Sequence, residues 1–146
     1  MSSLPTPTNA TVQNAAVYLY SISCPTAGSC LAVGSYEAPN PAGTQSTSNL
    51  TYEGLSETLS GGSWTAGEII APGPIANVYA SSQTLNGVSC AVSVSQCVAV
   101  GTNTVLNSVQ NQYNSIGWIA TLNGGSWTSI QSPTPATGAS ASPFWP

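Results

Sequence analysis

The sequence predicts an all-β fold of two four-stranded antiparallel blade-like repeats, packed as a partial propeller or as a two-sheet sandwich. Three observations predict it. First, the chain repeats itself. Leu19-Tyr-Ser-Ile-Ser-Cys24 matches Leu85-Asn-Gly-Val-Ser-Cys90, Cys30-Leu-Ala-Val-Gly34 matches Cys97-Val-Ala-Val-Gly101, and residues 54–65 match residues 117–128 down to a shared Gly-Gly-Ser-Trp-Thr. The period is about 63 to 67 residues, which makes each copy one supersecondary unit. Second, β-branched and aromatic residues alternate with Ser and Thr over short runs, the period of a half-buried strand. Third, Gly, Pro and Asn clusters separate those runs.

Taken in order, residues 1–16 form a Pro/Thr-rich linker around Pro5-Thr-Pro7. The first repeat covers residues 17–74, with strands expected at 17–24, 30–36, 54–60 and 63–70. Residues 75–83 form a second linker, next to Ala71-Pro-Gly-Pro74. The second repeat covers residues 84–132, with strands at 84–90, 97–103, 116–123 and 126–131. Residues 133–146 are a Pro/Ser/Ala-rich tail that opens on Pro133-Thr-Pro135. Gly61-Gly62 and Gly124-Gly125 read as two-residue hairpin turns, because glycine tolerates the positive φ that primed turns require. The segments 37–52 and 104–115 are polar and differ between copies, so they read as loops on a shared scaffold.

The four cysteines fall as close pairs at matching places, which favours Cys24–Cys30 and Cys90–Cys97 among the three possible connectivities. Each such short loop stabilises the fold by about 2 kcal/mol in the chain-entropy model. Disulfides place the chain in an oxidising compartment, extracellular or at the cell surface. A zinc site is the rival reading, but the spacing is long for paired ligands and His is absent. Residues 1–7 lack the basic and apolar regions of a signal peptide, so export implies a removed signal or another route. Asn9-Ala-Thr11 and Asn49-Leu-Thr51 match the N-glycosylation acceptor pattern, which fits a glycoprotein.

Charge is the sharpest compositional signal: there is no Lys, Arg or His, and the acidic residues are Glu37, Glu53, Glu57 and Glu68. Ordinary domains are about 25% charged, against 3% here. Nucleic acids and anionic membrane surfaces are held by basic side chains, so neither is an expected partner. No apolar run approaches the roughly 20 residues of a spanning helix, and membrane insertion is not expected. Acid unfolding needs salt bridges to lose and positive charge to gain, and this chain can supply neither, so the fold is expected to survive to about pH 2.

The same composition argues against an enzyme. A Ser or Cys nucleophile lacks any His or Lys base. Glycoside hydrolysis needs two carboxyls roughly 5 to 10 Å apart, and Glu53 and Glu57 lie about 13 Å apart on one extended strand, although folding could bring Glu37 or Glu68 beside another Glu. Four scattered Glu promise no calcium site, and no metal or cofactor is expected. Trp64 and Trp127 follow the Gly-Gly turns at equivalent positions and read as repeat core. Trp118, Tyr52 and Tyr113 are the candidate aromatics for stacking on sugar rings or for subunit contacts.

The run Ser-Cys-Pro-Thr-Ala-Gly-Ser-Cys-Leu-Ala-Val-Gly-Ser-Tyr at 23–36, followed by Leu-Ser-Gly-Gly-Ser-Trp-Thr at 59–65, resembles the Cys-stapled β-propeller-like repeat of secreted actinobacterial and other prokaryotic proteins. The resemblance spans most of residues 19–135. The second copy departs from it at Ala91-Val-Ser-Val-Ser-Gln96, which replaces the Pro-Thr-Ala-Gly turn and adds one residue between the cysteines. It implies a blade-type fold and an exported protein, and it brings no catalytic residues. Two repeats leave faces uncovered, which points to an extracellular structural subunit that self-assembles as filament, ring or coat. The alternative is a lectin-like carbohydrate-binding or adhesion module, and the third is a non-catalytic fragment of a larger propeller.

Overall fold

The computed structural model describes residues 4–10, 15–39, 50–72, 78–107 and 112–133, and among them there is no helix. Eight strands make up the fold: β1 (Val17–Thr26), β2 (Ser29–Pro39), β3 (Leu50–Ser60), β4 (Ser63–Ile69), β5 (Val78–Cys90), β6 (Gln96–Asn107), β7 (Gln112–Asn123) and β8 (Ser126–Gln131). Strands β1–β4 form unit 1 and β5–β8 form unit 2, each an antiparallel meander. The two are joined into one open sheet by a single parallel bridge between Tyr52 of β3 and Ser82 of β5.

The hairpin chemistry follows the glycines. Gly61 and Gly62 sit at φ 57° and 81°, and Gly124 and Gly125 at 59° and 88°, inside two-residue loops closed by Ser60–Ser63 and Asn123–Ser126. Gly28, at φ 74°, turns the stapled hairpin of unit 1. Unit 2 spans the same place with a longer turn, closed by Gln96 N–H to Ser93 C=O and Ala91 N–H to Gln96 C=O, both 3.1 Å.

Both β1 and β5 carry a bulge, at Tyr20 and Asn86, and opposite each lies a glycine of the repeated Val-Gly pair. A Cβ on Gly34 would collide with the Tyr18 carbonyl, and one on Gly101 with the Thr84 carbonyl. The repeated glycine is therefore required by close backbone approach rather than by turn geometry.

The strands are longer than the sequence suggests. The β2–β3 ladder continues to Pro39–Leu50 and the β6–β7 ladder to Asn107–Gln112, so 37–39 and 50–52, and 104–107 and 112–115, are strand instead of loop. β5 begins at Val78, inside the expected linker 75–83. Polar side chains such as those of Thr102, Thr104 and Ser115 hide these extensions from a hydrophobic pattern, because backbone pairing does not require an apolar face.

Each unit has two faces, defined by alternation along β2 and β6. The front carries Ala32 and Gly34 in unit 1 and the equivalent Ala99 and Gly101 in unit 2; the back carries Leu31 and Val33, or Val98 and Val100. The main core joins the back of unit 1 (Leu31, Val33, Ile69) to the front of unit 2 (Leu85, Ala99, Trp118, Ala120). Ser21 and Ser23 of β1 accept the N–H groups of Val88 and Cys90 at 3.2 and 3.0 Å, covering the free edge of β5.

Burial records this layering. In unit 1, residues 31–36 of β2 are buried on both faces, whereas β6 alternates strictly between buried front and exposed back over residues 97–100. Unit 1 is thus the middle layer, and unit 2 presents its back face to solvent. Gly34→Ala and Gly101→Ala are each expected to destabilise the protein by about 2 kcal/mol or more in urea unfolding. Gly87→Ala, which meets only Val100 at 3.4 Å, should stay within about 0.5 kcal/mol.

Candidate functional site

Two surface features concentrate the chemistry, and both belong to unit 1. The first lies on its front face, which is covered by the segment 4–10. Leu4 sits with Leu19, Ile22, Ala32 and Trp64 around a shallow cavity of about 350 Å³ at one end. Ala10 packs on Tyr36, Ala38 and Leu55 at the other, and Pro7 between them is buried. Pro5 and Pro7 have no N–H to offer a sheet edge, so the segment crosses the face as a strap instead of joining it as a strand.

Asn9 anchors this strap. Its Nδ2 donates to Glu53 Oε2 at 3.1 Å and to Glu68 Oε2 at 3.2 Å. The Tyr36 hydroxyl lies 2.8 Å from Asn9 Oδ1 and 2.9 Å from Glu53 Oε2, and its single hydrogen serves one of them at a time. Glu53 and Glu68 thus stand side by side, both accepting from the Asn9 amide. Burial, together with the neighbouring Glu53 charge, raises the pKa of Glu68. Burial and the same carboxylate raise Tyr36 above the usual phenol value.

Glu57 lies on the same face, two residues along β3 from Leu55, and it is fully buried with neither carboxyl oxygen hydrogen-bonded. Its equivalent in unit 2 is Ala120, at the centre of the inter-unit core. Burial pushes its pKa from 4.5 up to about 7.

The second feature is an aromatic row. Tyr18 and Tyr20 stack with ring centroids 6.4 Å apart, and Tyr52 meets Tyr18 edge-on at 5.9 Å. The Tyr52 hydroxyl donates to Glu37 Oε1 at 3.2 Å, while Glu37 Oε2 accepts the Ala16 N–H. Tyr18 and Tyr20 are about half exposed. Tyr52 was a candidate from sequence, whereas Tyr18 and Tyr20 were not singled out. Their i, i+2 spacing at the bulged end of β1 is the signal that would have found them.

The other candidates separate. Trp118 is 1% exposed, so it cannot stack on a sugar. Its ring fills space left by Gly54, where a Cβ would come within 3.2 Å, and its Nε1–H points to the Thr84 carbonyl at 3.4 Å. Tyr113 is exposed on β7, on the opposite unit from the tyrosine row. Trp127 is partly buried against the main core, and Trp64 is partly buried on the front of unit 1. Asn9 uses its amide nitrogen on two carboxylates, and a glycan on Nδ2 would leave one N–H for both. Asn49 lies outside the described residues.

Cys24–Cys30 and Cys90–Cys97 are both bridged, with Cα separations of 4.1 and 4.0 Å, which excludes the zinc alternative and fits a non-reducing environment. Glu68 does come beside Glu53, the two sharing the Asn9 amide as donor. The arrangement can hold a hydrogen-bonded strap.

A carboxyl whose pKa is raised on folding stabilises the fold fully below its unfolded value and loses that contribution as pH rises through the folded value. Glu57 therefore makes the protein most stable at pH 4.5 and below, with on the order of 2–3 kcal/mol lost by about pH 7 to 8. Urea midpoints measured from pH 4 to 8 should fall in that window, and Glu57→Gln should flatten the profile. Far-ultraviolet circular dichroism should show no cooperative loss of β signal between pH 5 and 2.

Compared with known proteins, the chain matches no family model, no curated protein and no solved structure.

Proposed function

We propose that the chain is a non-catalytic extracellular structural subunit that self-assembles head to tail through the faces of its repeats. One observation carries this reading. The back face of unit 1 is buried on unit 2, with Leu31 and Val33 at 0% exposure, while their equivalents on the back of unit 2, Val98 and Val100, are 45% and 49% exposed. The face pair that closes the inside of the molecule is heterologous, because it joins the back of one unit to the front of the next. A heterologous contact does not satisfy itself, and repeated between copies it generates rings or filaments. Exposed Ile130 extends the apolar character of the open face. No cationic side chain stands on it to disfavour an apolar partner.

The two disulfides and the composition support an exported location, and the raised carboxyls support an acidic medium. Light scattering on the non-reduced protein, with negative-stain images of the same sample, should give particles heavier than 14.7 kDa whose mass rises with concentration. Val100→Glu, a charge in the centre of the open face, should return the particle to monomer mass. A 14.7 kDa wild-type particle at all concentrations would sink the reading.

A second reading, a carbohydrate-binding module, is favoured by the tyrosine row of Tyr18, Tyr20 and Tyr52, with Glu37 as a hydrogen-bond acceptor beside it. A glycan-binding screen should then give ligands whose affinity falls at least tenfold in Tyr18→Ala. Equal binding by the variant would reject this surface.

A further inference from the structure

Unit 1 and unit 2 are two copies of one design, but their front faces have different covers. The front of unit 2 is covered by the back of unit 1. The front of unit 1 is covered by the strap, residues 4–10, through Leu4, Pro7, Asn9 and Ala10. The strap thus occupies the position on unit 1 that a whole unit occupies on unit 2. We propose that the front face of unit 1 is the docking surface for the back of unit 2 of a second copy, and that the strap is a displaceable cap competing for it. This inference rests on the self-assembly reading and specifies its second surface and its control.

The strap is held in a way that allows exchange. Its one described backbone hydrogen bond closes its own turn, Ala10 N–H to Pro7 C=O at 3.0 Å. Its bonds to Glu53 and Glu68 are solvent-exposed, so water replaces them when the strap leaves, and the part-buried Tyr36 hydroxyl, 2.8 Å from Asn9 Oδ1, keeps Glu53 Oε2 as an acceptor at 2.9 Å. By contrast, a docking unit would bring Val98, Val100 and Ile119 of two extended strands, β6 and β7, across the face.

The surfaces also match by equivalence. Inside the molecule, Gly54 of unit 1's back leaves room for Trp118. Between copies, the equivalent Gly117 would face Leu55, a smaller side chain, so the inter-copy contact has no ring to accommodate. Glu57 replaces Ala120 on this face and is already fully buried in the single chain. A second copy would cover it in the same way. The charged or titratable groups near it on this face are Glu53 and Glu68 of β3 and β4 and Tyr36 of β2, and no basic group exists in the chain to offset them.

The test uses the full chain at pH 7, with Asn9→Asp. This change places a third carboxylate against Glu53 and Glu68 and removes the donated hydrogen bonds. Hydrogen exchange should accelerate in residues 4–10, and the assembly midpoint, read by sedimentation, should fall at least tenfold in concentration. Adding Val100→Glu to the same variant should return it to monomer mass. A second arm adds an excess of synthetic peptide covering residues 1–10 to the wild-type chain, which should raise the midpoint by occupying the face. An unchanged midpoint in Asn9→Asp despite faster exchange, or a peptide without effect, overturns the cap while Val100→Glu still lowers the mass of wild type. If Val100→Glu leaves the wild-type mass unchanged, the assembly reading falls and the cap falls with it.

Discussion

The structure depends on one contact, the back of unit 1 laid on the front of unit 2. A four-stranded antiparallel unit of this size has two faces that cannot both be left in water, and packing two units front to back buries one face of each. Trp118 does the most in that contact. Its ring enters the space that Gly54 leaves, and its indole N–H reaches the Thr84 carbonyl. Truncating such a residue typically costs about 3–5 kcal/mol. Ser21 and Ser23 then supply acceptors for the N–H groups of the β5 edge. The edge that could have paired with another chain is thereby closed, and order along the sheet is fixed by side-chain hydroxyls as well as by the ladder. Once this contact is made, the front of unit 1 needs a cover and the back of unit 2 lacks one.

The absence of cations shapes how that cover is held. In most proteins a pair of carboxylates on one surface is balanced by Lys or Arg. Here Glu53 and Glu68 stand together by accepting hydrogen bonds from the neutral donors Asn9 and Tyr36. Glu57 has neither partner, and burial leaves protonation as its means of staying uncharged. Electrostatics in this chain is therefore a matter of proton occupancy, and every raised carboxyl acts in the same direction, toward greater stability in acid.

The scaffold was legible in the sequence wherever a residue type has a local cause. The Gly-Gly turns announce themselves because only glycine accepts both positive φ values. The cysteine pairs are bridged as the repeat placed them, and eight strands come in the expected order. What could not be read was set by contacts across the sheet. Trp118 reads as a candidate stacking or contact aromatic, because nothing local shows that Gly54, far away in sequence, makes room for its ring. Asn9 matched a glycosylation pattern, and nothing local shows that Glu53 and Glu68 take its amide. The linker around Pro5-Thr-Pro7 is polar and Pro-rich in sequence, yet it lies on an apolar face. Gly34 and Gly101 stood out as repeated residues, but their cause, a bulge in the facing strand, is a property of the pair.

The differences between equivalent positions bear on which contacts are permanent. At the internal interface the front face has Trp118 and Ala120, a large ring beside a small methyl, and both are buried with no ionisable group between them. At the terminal front face the same two positions are Leu55 and Glu57. The first pair gives more apolar burial and no dependence on pH. The second gives less burial, and it places a carboxyl where any partner, strap or subunit, must cover it. A contact over Glu57 weakens as that proton is lost, whereas a contact over Ala120 does not. Two copies of one fold thus carry one front face whose burial is independent of pH and one whose burial depends on it, and the distinction rests on two side chains each of β3 and β7.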